Sequence, residues 1–195
     1  MPEVFYSADL HLDHRKMVFP DPVTGETYRP WSCREEMNED LIARWNLFVG
    51  PKDRAFVLGD ASINKSGVPL LGRLNGRITL VMGNHDTFRA SDYLGVVEDL
   101  KGAVEYKGMI LTHVPVHVSQ MRRWSHNVHG HLHHKTLRDP RYLCVSLERT
   151  NYFPIPHEEV LERLETQRRE ATPMGRLRKV HADVMSGMHS LLHRF

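Results

Sequence analysis

The chain has 195 residues, 41% of them hydrophobic and 26% charged, and its 26 Lys and Arg against 24 Asp and Glu leave a formal net charge of +2. That balance suits one ordinary globular domain, gives no charge-driven case for a nucleic-acid partner, and includes no apolar run near the ~20 residues that span a bilayer. Cys33 and Cys144 form no CxxC pair or disulfide framework, and Met1-Pro2-Glu3-Val4-Phe5-Tyr6 lacks the basic and apolar regions of a signal peptide, so a reducing cytoplasm is the expected compartment.

In chain order, Val4–Ala8 is a predicted strand leading into Asp9. Ser32-Cys33-Arg34-Glu35 has the Ser-x-x-Glu spacing of a capping box. It opens a helix with the stripe Met37, Leu41 and Trp45, widened by Ile42 and Phe48 and stopped by Gly50-Pro51. Three short apolar runs follow: Ala55–Leu58 leads into Gly59-Asp60, Ile78–Met82 into Gly83-Asn84-His85-Asp86, and Met109–Thr112 into His113. Asn127–His129 leads into Gly130-His131-Leu132-His133, and Tyr142–Leu147 is a further apolar run. His157–Glu170 predicts a helix, acidic at its start and basic at its end as the helix dipole favours. Residues 1–170 are expected to form the domain. Beyond Thr172-Pro173, Leu177, Val180, Val184, Met188 and Leu191 predict an amphipathic helix over 174–195, packed on it. Strands alternate with helices early and cluster later, which predicts a layered α/β (α+β) fold.

Histidine is the outlying residue: there are 14, seven of them between His113 and His134. Imidazole is the commonest metal ligand and the usual acid–base near neutral pH. Polar residues recur where predicted strands stop, which is where α/β sheets gather distant residues into one crevice. Asp9 and His11 can both reach one cation. Gly83-Asn84-His85-Asp86 sets an amide oxygen, an imidazole and a carboxylate side by side. In an extended chain His131 and His133 point to one side. Together these groups exceed what one tetrahedral zinc needs, and a bridging carboxylate would divide them over two ions. An all-N/O donor set suits Mn, Fe, Zn, Ni or Co. Two such ions ~3.5–4 Å apart clamp the attacking and leaving oxygens of a displacement at phosphorus, so the residues point to a dinuclear hydrolase.

Asp-x-His, Gly-Asp, Gly-Asn-His-Asp, His and Gly-His-x-His, in that order, resemble the signature of the calcineurin-like metallophosphoesterases over residues 4 to 147. Met37-Asn38-Glu39 through Trp45-Asn46, Val49-Gly50-Pro51 and Leu58-Gly59-Asp60 further resemble the small bacterial and phage phosphoesterases of that superfamily. The resemblance implies a two-sheet β-sandwich flanked by helices. It implies one divalent metal ion on Asp9, His11, Asp60 and His133 and a second on Asp60, Asn84, His113 and His131, with Mn the first expectation. It further implies attack on phosphorus by a metal-bridging hydroxide. His85 would assist the leaving group rather than bind metal, and Asp86 is a candidate to orient it. Ala61-Ser62-Ile63 after Gly59-Asp60, and Asp86 where Glu would follow Gly-Asn-His, depart from the Ser/Thr protein phosphatases and argue against protein phosphatase activity.

His14, His117, Arg15 and Arg89 are the candidate substrate contacts, and Asp13 or Asp139 could accept the second N–H of a ligand imidazole. The loops Met17–Trp31 and Gln120–Asn127 are expected to set selectivity. The expected substrate is a small-molecule or nucleotide phosphate ester, a diester before a monoester, with nucleic acid unsupported by charge and no membrane partner. Two other readings stand beside this one. A metal-bearing scaffold without catalysis predicts erosion of the ligands or of His85, and no motif position is eroded. Histidine-rich metal storage would need neither Asn84 nor histidines spread over separate strand ends.

Overall fold

The structure is a computed structural model that describes residues 2–20 and 22–172. The terminal helix expected over 174–195 lies outside the described residues. Nine strands form two mixed sheets. The first has the order β4 (Asp99–Lys101), β3 (Arg77–Val81), β2 (Arg54–Leu58), β1 (Val4–Ser7) and β9 (Ile155–Pro156), with β1 to β4 parallel and β9 antiparallel. The second has the order β5 (Val104–Tyr106), β6 (Met109–Thr112), β7 (His126–His129) and β8 (Tyr142–Cys144), with β5 antiparallel to a parallel set of three.

Side-chain alternation explains the layers. On the first sheet Tyr6, Phe56, Leu58 and Val81 face Met109, Leu111, Val128 and Leu143 of the second and form one buried core. The opposite parity, Phe5, Ala55, Val57, Ile78 and Leu80, packs against α1 (Arg34–Phe48) through Met37, Leu41, Ile42 and Trp45. Each such fully buried side chain contributes about 1.5–3 kcal/mol of transfer free energy. Between β2 and β4 lie two four-residue helices, α2 (Val68–Leu71) and α3 (Ala90–Tyr93). α4 (His157–Ala171) adds Val160 and Leu164 to the core between the sheets. The layered α/β architecture agrees with the sequence reading, and no helix among the described residues is long and apolar enough to cross a membrane.

Four local expectations are corrected. The N-cap of α1 is Cys33, whose Sγ accepts from Glu36 N–H, and the reciprocal partner is Glu36 rather than Glu35. The Glu36 carboxylate accepts from the Ser32 N–H (2.9 Å) and hydroxyl, while Glu35 pairs with Arg34. Phe48 leaves the apolar stripe: it is 51% exposed and meets Phe153 edge-on. The run Tyr142–Leu147 is strand only to Cys144, because Leu147 already opens a 3-10 turn, Leu147–Arg149. The short strands β4, β5 and β9, of two or three residues, were not expected; nothing so brief shows a period.

Parallel pairing places the ends that matter together. β1 and β2 run in register from Val4↔Arg54 to Ser7↔Val57, and the pairing continues beyond them through Asp9 N–H to Gly59 O (2.9 Å) and His11 N–H to Asp60 O (2.9 Å). Ala8 also bridges to Ser146, so the two sheets meet just where β1 gives way to Asp9.

Candidate metal centre

The loops that leave β1, β2, β3, β6 and β7 converge at this seam, and they carry all seven residues expected as ligands. Two groups of three ligand atoms form, each with its atoms within 4.8 Å of one another: Asp9, His11 and His133, and Asp60, His113 and His131. The Asp60 carboxylate lies between the groups, its Oδ2 3.3 Å from His113 Nε2 and 3.8 Å from His11 Nε2. His133 Nε2 stands 3.8 Å from Asp9 Oδ1, with the His11 and His133 rings stacked at 5.3 Å. Asn84 Oδ1 lies 2.9 Å from His113 Nε2, which adds the amide to the second group.

The backbone here is unusual. Asp9, His11, Asp60, His131 and His133 all have positive φ, between 49° and 70°. Side chains rarely adopt this left-handed region, and when they do it marks strain held at functional sites. It also replaces the expectation that His131 and His133 project alike from an extended chain. Both residues turn into left-handed conformation after β7, and their rings serve different groups. Gly59 and Gly83 are needed for close approach. Gly59 has φ +83°, and a Cβ there would lie 2.7 Å from the His113 Cβ and nearer still to its ring. A Cβ on Gly83 would collide with Asp60. Gly59→Ala should therefore cost about 1–2 kcal/mol from the backbone alone and more from the collision, read as a lower denaturation midpoint with weakened metal binding at the His113 side.

The ligand residues are shifted in different directions: against burial, Asp60 raises the His113 pKa and Glu148 raises that of His133. Burial pushes the His11 pKa well down, with Arg29 adding to the effect, so its imidazole is neutral. Both its ring nitrogens are buried without a partner, although the residue is only 3% exposed. The unprotonated nitrogen of this neutral ring, buried beside carboxylates, is a fit ligand for a divalent cation. Burial acts to raise the Asp60 pKa, but His113 and the His85 N–H (2.9 Å to Oδ1) bring it down to about 2. For Asp9 burial wins and raises the pKa, against the Ser146 hydroxyl (2.6 Å) and nearby His133, while its Oδ2 also accepts from the His131 N–H (2.9 Å). His113 donates Nδ1–H to Leu58 O at 2.9 Å, which leaves Nε2 facing Asp60 and Asn84.

His85 stands apart from both groups. Its side chain is 43% exposed, with Nε2 4.0 Å from Asp60 Oδ2 and its ring 5.8 Å from that of His11. Asp86 does not orient it. The buried Asp86 carboxylate accepts from the backbone N–H groups of Ala61 (2.9 Å), Ser62 (3.3 Å) and Gly83 (2.9 Å), and so ties the Asp60 loop to the Asn84 loop. Its sequence neighbour suggested the other role, but a short carboxylate beside a turn reaches amides more readily.

Of the expected substrate contacts, His14 is at the centre: half-buried, with its ring 5.3 Å from His11 and its pKa lowered by burial and by His85. Arg15 lays its guanidinium over Phe19 at 4.1 Å. His117 caps a 3-10 turn by accepting from Ser119 N–H, and Arg89 starts α3. None of these three touches the ligand groups among the contacts described. Asp13 and Asp139 do not back a ligand imidazole either; they pair with Arg34 and Arg141. Glu148 takes that place, 3.1 Å from His133 Nδ1 through Oε2. Burial opposes its charge, yet His133 and Arg29 hold its pKa at about 2. Tyr28, from the loop expected to set selectivity, meets His133 edge-on at 5.3 Å and His134 at 5.4 Å. Arg29, Glu148 and Tyr28 were missed because none lies in a motif. The only signal was the need of a metal-bound imidazole for an acceptor, and it does not say where along the chain the acceptor comes from. A recess of about 680 Å³ between β8 and α4 shares no residue with the ligand groups, so the site is marked by the chemistry of its side chains.

No family model matches the chain. It is 29% identical over 180 residues to an uncharacterized protein of Methanocaldococcus jannaschii, covering 85% of this chain and 93% of that one. It is 29% identical over 91 residues to the gene 66 protein of Mycobacterium phage L5, covering 44% of this chain and 41% of that one. A crystal structure of a protein of unknown function from Aquifex aeolicus superposes with a TM-score of 0.62 at 20% identity, covering 83% of this chain and 99% of that one. That likeness shows a shared fold.

Proposed function

We propose that the chain is a dinuclear metal-dependent phosphoesterase of metallophosphoesterase-like fold, acting on a small-molecule or nucleotide phosphate ester, diester before monoester. One observation carries the reading: the Asp60 carboxylate lies within 3.8 Å of an imidazole of each of two adjoining ligand groups, and a half-exposed histidine, His85, stands beside it outside both. Two divalent ions held by these groups, Mn first and Fe, Zn, Ni or Co as alternatives, would supply Lewis-acid charge at phosphorus and an acidified water. Asp9, His11 and His133 hold one side and Asp60, Asn84, His113 and His131 the other. His85 is free to rotate toward the leaving oxygen and give it a proton at Nε2, or to stabilise charge developing there. His14 and Tyr28 line the approach. An aryl phosphodiester incubated with Mn should be hydrolysed, and chelator or Asp9→Asn should abolish the reaction. Intact protein that hydrolyses neither diester nor monoester in Mn, Fe, Zn, Ni or Co would overturn it and favour a non-catalytic scaffold.

A further inference from the structure

A buried ion pair lies behind one ligand group only. Arg29, 1% exposed, donates Nε–H (2.9 Å) and Nη2–H (2.8 Å) to Oε1 of Glu148, whose side chain is fully buried. The other Glu148 oxygen lies 3.1 Å from His133 Nδ1, at ion-pair distance but out of hydrogen-bond alignment, and neither atom has a hydrogen-bond partner among the described residues. Arg29 also reaches the chain that carries the two remaining ligands of that group: Nη2–H donates to Asp9 O (2.5 Å) and Nη1–H to Leu10 O (2.8 Å). Its own N–H donates to Met17 O (2.8 Å), which anchors the loop beyond His14 at the same point.

All three ligands of the group are thereby wired to one pair. The carboxylate beside Nδ1 favours the His133 tautomer protonated there, with Nε2 toward Asp9. The guanidinium fork holds the left-handed turn from which Asp9 and His11 project. The second group is held differently: His113 leans on the neutral Leu58 carbonyl, and His131 is exposed.

We propose that Arg29 and Glu148 are positioning residues that make the two metal subsites unequal, so that the Asp9/His11/His133 subsite fills first and releases its ion last. The proposal rests on the two-ion reading above. A carboxylate behind an imidazole orients it and raises its basicity, and such partners change metal affinity by about 10–100-fold. A fork of planar donors sets backbone oxygens in a way that a single ammonium does not.

Electrostatics and positioning predict opposite signs for Arg29. If only charge mattered, removing a cation from beside the subsite would tighten cation binding; if Arg29 positions the turn, changing it weakens binding even when the charge is kept. Stepwise Mn binding to the full chain is measured by calorimetry on wild type, Glu148→Gln and Arg29→Lys, with cobalt absorption as a second readout of ligand geometry and thermal melts to verify folding. Arg29→Lys keeps the buried charge and covers the case in which Glu148→Gln does not fold. The expected result is two steps in wild type, the tighter weakened about 10–100-fold in each folded variant and the weaker unchanged, with an altered cobalt spectrum. Equal weakening of both steps, or no change in either, overturns this proposal while leaving the two-ion reading intact. Wild-type protein that binds no ions overturns both.

Discussion

Asp60→Asn should strip the protein of its paired ions and lower turnover by about 10³-fold or more, because several kcal/mol of charge stabilisation at phosphorus goes with them. The Asp60 carboxylate approaches ligand imidazoles of both groups, His11 at 3.8 Å and His113 at 3.3 Å. Asparagine preserves the shape and can still accept from the His85 N–H, so the loop has a reason to stay in place. Metal content after gel filtration separates the outcomes: near two ions in wild type and one or none in the variant. An Asp60→Asn protein that retains two ions at wild-type affinity would contradict the bridging role, whatever its activity.

His85→Ala is the complementary experiment, with metal retained and turnover lost. The side chain is 43% exposed and belongs to neither ligand group, so its removal should leave stability within about 0.5 kcal/mol and metal content unchanged. General acid catalysis contributes typically about 10²–10⁴-fold. The loss should depend on the leaving group. Alkyl esters, whose departing oxygen needs a proton, should suffer near the top of that range, and activated aryl esters should suffer little. A uniform loss across leaving groups would instead assign His85 to binding.

Much of this site was legible because its residues lie at strand ends. Parallel strands with short apolar runs announce themselves, and whatever follows Leu58 or Met82 in sequence must emerge at the same sheet edge. Asp9, Asp60, Asn84 and His113 could thus be brought together without coordinates. His131 and His133 were brought to the site for the wrong physical reason, since left-handed backbone and not strand alternation places them, one ring in each ligand group. Asp86 was misread because proximity in sequence stood in for proximity in space. Arg29 and Glu148 were invisible for a different reason. They join residues 119 apart in the chain, and each looks locally like any surface charge in a loop or a turn. Burial distinguishes them, and burial of a loop arginine depends on how the whole sandwich closes. The short strands β4, β5 and β9 fail the same way, being defined by their neighbours and not by their own pattern.

Each ligand group draws on both sheets. Asp9 and His11 follow β1 of the first sheet, whereas His133 follows β7 of the second; Asp60 follows β2, whereas His113 and His131 follow β6 and β7. An ion in either group would therefore cross-link the two layers, closing the loop from Asp9 to His133 in one group and from Asp60 to His131 in the other. Contacts of such sequence separation are costly to close and form late in folding. Ion binding to the finished seam adds its free energy to that of the closed sandwich, as it does wherever the unfolded chain has no preformed site. With two ions bound as proposed, metal supply would set how tightly the two sheets stay together as well as whether the site is armed.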